Sequence, residues 1–212
     1  MTQLRFSLRL LSLAGLLFGA FAWAGESDYQ SFAARWAQAN YQQSGDAKEA
    51  ALAQLSEEVR AASAAAPQDL ALKTWAGIII GSYAGAKGGL GALGLAKEAK
   101  ADYEAVIAQD PSTLQGSALT SLGVLYYKVP GWPLGFGDDK LAAKMLMEGL
   151  KYNPHGIDSN YFYADYLASQ GQKPQAMAFL AKALKAQPRP GREVADAGRR
   201  QEIQALQQRL QQ

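Results

Sequence analysis

From Asp28 onward the apolar positions return every three or four residues, the spacing of a helix with one buried face, and polar residues fill the positions between. Ser27 followed by Gln30 forms a capping box, so the first helix is predicted from Asp28 to about Gln43, with Phe32, Trp36, Ala39 and Tyr41 on its apolar side. Gly45 interrupts it. Asp46 opens a second helix through Ala50, Leu52, Leu55 and Val59 to the alanines before Pro67. A second pair follows, Asp69 to about Ala86 (Leu72, Trp75, Ile78, Ile79, Ile80, Tyr83) and about Leu95 to Gln109 (Ala99, Tyr103, Val106, Ile107), closed by Asp110-Pro111. A third pair spans about Gln115–Lys128 and Asp139–Tyr152, and a fourth Ser159–Gln170 and Pro174–Gln187, where Pro174 stands at a helix start that tolerates its missing N–H. Beyond the turn at residues 189–192, Glu193 to Leu210 reads as a last helix with Ile203, Leu206 and Leu210 on one side and Arg and Gln on the other.

Two of these pairs repeat one pattern. Leu122-Gly123, Tyr126, Ala142, Leu146 and Pro154 are followed by Tyr163-Ala164, Leu167, Ala176, Leu180 and Pro188, and the two closing prolines are 34 residues apart. That period belongs to tetratricopeptide (TPR) repeats. The expected fold is therefore all-α: a TPR-like right-handed solenoid of about four antiparallel helix pairs (28–66, 69–109, 115–152 and 159–187) with a C-terminal capping helix at 193–210. Each pair has an apolar face that only a stacked neighbour can cover, and the last helix offers the polar outer side a terminal cap needs.

The second and third pairs carry about seven extra residues at one equivalent point, between their two helices. The first insertion, Gly85 to Gly91, is glycine-rich; the second, Val129 to Gly135 and on to Asp139, contains Trp132 and Phe136. Equivalent loops of a solenoid emerge on one edge, and loops on a rigid scaffold are common binding elements. Two readings are open for Trp132 and Phe136: they meet a ligand or partner, or they fold back over their own repeat. Gly77, Gly81 and Gly85 recur every four residues on one helix face, each costing about 1 kcal/mol relative to Ala. Such a row serves either close helix packing or open space for a ligand in a groove. The match of residues 89–94 to a dinucleotide fingerprint follows a helix rather than a strand and is read as chance.

Composition narrows the functional classes. The 212 residues are 49% hydrophobic, which suits a packed core. Residues 1–24 differ from the rest: Arg5 and Arg9 precede an apolar run, Leu10 to Phe21, and Ala22-Trp23-Ala24 offers a cleavage site, so a removable export signal and a periplasmic address are expected. Taking Arg5 and Arg9 from the 21 basic residues leaves 19 against 19 acids, and a neutral chain is a poor nucleic-acid binder. There is no cysteine, hence neither a lipid attachment site nor a disulfide. No stable membrane insertion of the mature chain is expected, since Lys87 and the glycines after it interrupt the most apolar stretch. A single His155 offers no metal pair, and Asp158 and Asp165, seven apart on one helix face, suit solvation or helix capping before catalysis, so no metal, cofactor or enzyme activity is expected.

In a TPR register the first helix of each pair lines the groove, which here would show Phe32, Arg35, Ala39 and Gln42, then Thr74, Gly77 and Gly81, then Thr120, Val124 and Tyr127, then Asp158, Tyr161 and Asp165. The candidate binding set is Gly77, Gly81, Gly85, Tyr127, Trp132, Phe136, Tyr161 and Asp165. Its mixture of rings, small residues and isolated charges suits a small apolar ligand or a protein partner. The run Tyr126 to Asp139, with Asn153-Pro154, Gly156-Ile157-Asp158 and Asn160-Tyr161-Phe162-Tyr163, resembles a group of bacterial exported TPR proteins. More loosely, it is similar to the T-component associated with tripartite ATP-independent periplasmic (TRAP) transporters, over roughly residues 70 to 200 and including the stretch that begins at Gly85. That resemblance implies a pocket for an apolar ligand, association with a periplasmic substrate-binding protein, and trimer formation; the chain departs from it in having no lipid-anchor cysteine. Two functions are thus expected: a periplasmic adaptor for a protein partner or small apolar ligand, or a ligand-handling accessory of a solute transporter.

Overall fold

The computed structural model describes residues 29–212. The expected export signal, and Ser27 and Asp28 at the start of the first helix, lie outside them. Among the described residues the chain forms helices α1 (Tyr29–Tyr41), α2 (Gly45–Ala65), α3 (Leu70–Lys87), α4 (Gly89–Gln109), α5 (Ser117–Lys128), α6 (Asp139–Tyr152), α7 (Ile157–Ser169), α8 (Lys173–Leu184) and α9 (Glu193–Gln211), with a short 3-10 turn at Thr113–Gly116. The fold is all-α, and consecutive helices pack in pairs, α3 with α4, α5 with α6 and α7 with α8, while α2 lies closely along α3. None of these helices is long and apolar enough to cross a membrane.

The pairing follows from the apolar stripes. Leu72, Ile79 and Ile80 of α3, Ala99 and Val106 of α4, Leu122 of α5, and Ala142 and Leu146 of α6 are buried in one continuous core with Leu52, Leu55 and Val59 of α2. Close approach within pairs depends on small residues. A Cβ at Gly123 of α5 would meet Leu146 Cγ at 2.7 Å, and one at Gly77 of α3 would meet the Tyr103 ring of α4 at 2.5 Å. The backbones of α3 and α5 thus each receive a bulky side chain from the second helix of their pair.

The first insertion is not a loop. Its residues lengthen both helices of the pair, with Gly85 to Lys87 closing α3 and α4 opening at Gly89, so that Gly88 is the single residue between them. Gly88 (φ 62°) and Gly89 (φ 61°) make the turn because neither has a Cβ to clash in the left-handed region. Glycines suggested a loop across the whole segment, but two positive-φ positions were sufficient and the remainder joined the helical ladders.

The last helix does more than cap. Ile203 and Leu206 of α9 join Ile157, Tyr161 and Ala164 of α7 and Leu180 and Ala183 of α8 in a second buried cluster, as a terminal cap would. But α9 also packs against α1 and α7, the first helices of the first and last pairs, and Arg192 at its start reaches Trp75 of α3. The Tyr41 ring at the end of α1 lies against Gly198, where any Cβ would overlap it.

Candidate functional site

The segment between α5 and α6, residues 129–138, is a loop fixed by its own backbone. Gly137 N–H donates to Pro130 O (2.9 Å), Leu134 and Gly135 N–H both donate to Gly131 O (3.1 Å each), and Asp138 N–H reaches back to Tyr126 O (2.9 Å). The two sides approach so closely that a Cβ on Gly137 would overlap Val129 O and one on Gly135 would overlap Pro130 O. The Asp138 carboxylate then caps α6, accepting from the N–H groups of Lys140 (2.8 Å) and Leu141 (3.0 Å).

The two aromatic residues of this loop part company. Phe136 folds back, edge-on to Tyr126 at 6.1 Å, with the Lys100 ammonium 5.9 Å from its ring centroid. Trp132 is 90% exposed and Leu134 74% exposed. A large ring held in water on a hydrogen-bonded loop serves no packing role in this chain.

A second arrangement forms where α9 packs against α1 and α7. Asp158, at the start of α7, accepts from Arg189 Nη1 and from Arg199 Nε, both at 2.7 Å. Arg189 also binds Asp196 of α9 through Nε (2.8 Å) and through its own backbone N–H (2.9 Å). Arg199 is buried, its guanidinium 4.5 Å from the Tyr161 ring and 4.3 Å from that of Phe162, and it reaches Glu202 at 2.5 Å. Burial pushes the Asp158 carboxyl up, but Arg199 and Arg189 beside it outweigh burial and hold it well below the usual carboxylate range. The Tyr161 phenol, by contrast, is pushed up to about 12, chiefly by burial. Next to this cluster Trp36, Tyr41 and Trp75 form an aromatic floor, with Trp36 edge-on to each of the others at 5.6 Å and its indole N–H donating to Ser82 Oγ at 2.8 Å. Arg192 lies over Trp75, 4.7 Å from the ring centroid.

The sequence-predicted residues are distributed among different surroundings. The space beside Gly77 is filled by Tyr103, and Gly81 is in ordinary contact with Tyr103 and Ala99, so both serve the α3–α4 contact rather than an open groove. Gly85 has no atom within 4 Å of its missing side chain and borders a cleft of about 470 Å³ with Asn40, Asp46, Lys48, Glu49 and Ser82. Tyr127 donates to Asp165 at 2.9 Å, and Lys128 pairs with the same carboxylate at 2.7 Å. Burial first, then Asp165, keeps the Tyr127 phenol far above its ordinary pKa. Tyr161 is 9% exposed beneath Arg199. Of the candidate side chains, Trp132 is the one that stands out in solvent. The groove expected along the first helices is occupied at α1 and α7 by α9, and Arg189, Arg192 and Arg199, which the sequence pattern did not single out, make the contacts there with Asp158, Trp75 and Tyr161. The one advance signal of these arginines was their recurrence at 189, 192 and 199, in the turn before α9 and in its first turns. Among the described residues no cluster of three His, Cys, Asp or Glu side chains could hold a metal. No protein-family model matches the chain, and no curated protein matches it.

Proposed function

We propose that the protein is an exported docking adaptor: a TPR-like right-handed solenoid that engages a protein partner through the 129–138 loop, with Trp132 as the anchor and Leu134 beside it. The observation that carries this reading is the 90% exposure of Trp132 on a loop locked by its own hydrogen bonds. Tryptophan on a preorganised support is the side chain most often found at the energetic centre of a protein interface, because it buries a large area with little loss of conformational freedom. The 34-residue spacing of Pro154 and Pro188 and the stacked pairs support the TPR-like scaffold, and the leader-like residues 1–24 support the periplasmic address. Since α9 packs against α1 and α7 on the first-helix side, recognition is assigned to the loop rather than to a groove.

The test is quantitative capture from the native cell envelope with tagged wild type and the Trp132→Ala/Leu134→Ser double variant. A specific protein recovered with wild type and depleted at least tenfold with the variant, at an unchanged melting temperature, is expected. Equal recovery with both would assign the loop no docking role.

A further inference from the structure

Three arginines enter the first-helix face from the segment 189–199. Two are matched by acids. Arg189 is held by Asp158 and Asp196, and Arg199 by Asp158 and Glu202. The third, Arg192, forms no ion pair among the described residues; it packs on the Trp75 ring, and its Nε is buried without a hydrogen-bond acceptor. The adjacent Glu193 carboxylate is engaged elsewhere, accepting from Gly191 N–H at 2.9 Å.

A guanidinium whose Nε is buried without an acceptor, and which feels the Asp158 and Asp196 carboxylates without pairing with either, is a demand for an acceptor. A buried donor left unmade costs much of its desolvation energy, and a buried charge costs more unless an opposite charge meets it. Burial, and then the neighbouring Arg189, lower the proton affinity of Arg192, the opposite of what its two paired neighbours experience. The backbone that carries the group is also held in place. Arg192 N–H donates to Arg189 O (3.0 Å), its carbonyl accepts from Asp196 N–H (2.8 Å), and the Trp75 ring beneath it is set edge-on by Trp36. A planar fork of N–H donors stacked on an aromatic ring matches the two oxygens of a carboxylate or phosphate.

We propose that Arg192, stacked on Trp75 where the start of α9 meets α3, is the receptor of a binding site for a compact anion, a carboxylate or a phosphate. The site is separate from the Trp132 loop and does not depend on its role. Two other features carry less. The cleft at Gly85 contains Lys48, but that ammonium already donates to Asn40 O at 2.9 Å. The cleft at residues 188–200 contains Arg200, whose guanidinium is bonded to Leu184 O and Ala186 O.

The experiment is thermal unfolding of the mature chain titrated separately with acetate, succinate and inorganic phosphate, with sodium chloride matching ionic strength. Ligand that binds only the folded chain raises the midpoint, by about 5 °C or more at a concentration a hundredfold above Kd. Wild type is expected to respond to at least one anion beyond the chloride control. Response to acetate or succinate alone identifies a carboxylate ligand, response to phosphate alone a phosphate ligand, and response to all the shared chemistry. R192Q should lose the response, and R192K, which keeps the charge but not the fork, should bind about tenfold more weakly. K144Q, which removes an exposed lysine charge on α6, should respond as wild type does. No response in wild type, or equal responses in wild type, R192Q and R192K, would overturn the proposal. W132A serves to separate the two functional readings: it should leave the anion response intact whatever its effect on partner capture.

Discussion

Replacing Asp158 with asparagine isolates the electrostatics that hold α9 against α7. The carboxylate makes two charge-assisted hydrogen bonds at 2.7 Å, one to Arg189 and one to Arg199. Arg199 is 7% exposed at its side chain, whereas Asp158 is 32% and Arg189 35% exposed. Breaking a fully buried pair costs about 3–5 kcal/mol, and partial solvation of two of the three partners here places the expected loss near the lower end, about 3 kcal/mol. With a urea slope of about 2 kcal/mol per molar, the unfolding midpoint should fall by about 1.5 M. The pH dependence supplies a second readout. Because the folded pKa of Asp158 is depressed, its contribution is complete above the unfolded value of about 3.9 and is lost as pH falls from there toward the folded value. Wild type should therefore lose stability on acidification through and below pH 4 more steeply than D158N, and the two curves should converge. Urea titrations of both proteins between pH 7 and pH 2.5 read both effects. A loss below about 0.5 kcal/mol at pH 7, or parallel acid limbs, would show that the Arg–Asp cluster does not secure α9.

Two glycines on one face of α3 should respond in opposite directions. Gly85→Ala places a methyl in open space on an exposed helical position and should stabilise by about 0.5–1 kcal/mol, whereas at Gly77 the same gain is outweighed by contact with the buried Tyr103 ring, for a net loss of about 1 kcal/mol in thermal or urea unfolding. Trp132→Ala should change stability by less than about 0.5 kcal/mol while Phe136→Ala, which uncovers Tyr126, should cost about 2 kcal/mol, a contrast that equal losses would contradict. Gly137→Ala should disrupt the loop, because the new Cβ meets Val129 O; altered backbone amide shifts confined to residues 129–138 in NMR spectra would report it.

The helices and their order were legible because each carries a period that only one backbone satisfies. Ala142 with Leu146 and Ala176 with Leu180 mark the buried faces of α6 and α8, and Asn153-Pro154 and Pro188 mark where the pairs close. Two features were hidden for different reasons. Glycine composition at 85–91 gives no count of how many positions require a positive φ, and Gly88 with Gly89 proved enough to turn the chain. The path of α9 depends on contacts distant in sequence, Gly198 with Tyr41 and Arg199 with Asp158, which local periodicity does not encode. Trp132 and Phe136 shared one description as loop aromatics, and their separation came from backbone hydrogen bonds that aim one ring inward and leave the other in water.

Recognition by the exposed loop, rather than by the first-helix side where α9 packs, makes a distinct crosslinking pattern. Photo-crosslinking in the intact cell envelope, with a photoreactive residue placed in turn at position 132 and at position 161, tests it most directly. A discrete protein adduct is expected from position 132, and from position 161 only an internal link to α9. An intermolecular adduct from position 161 with none from position 132 would contradict it.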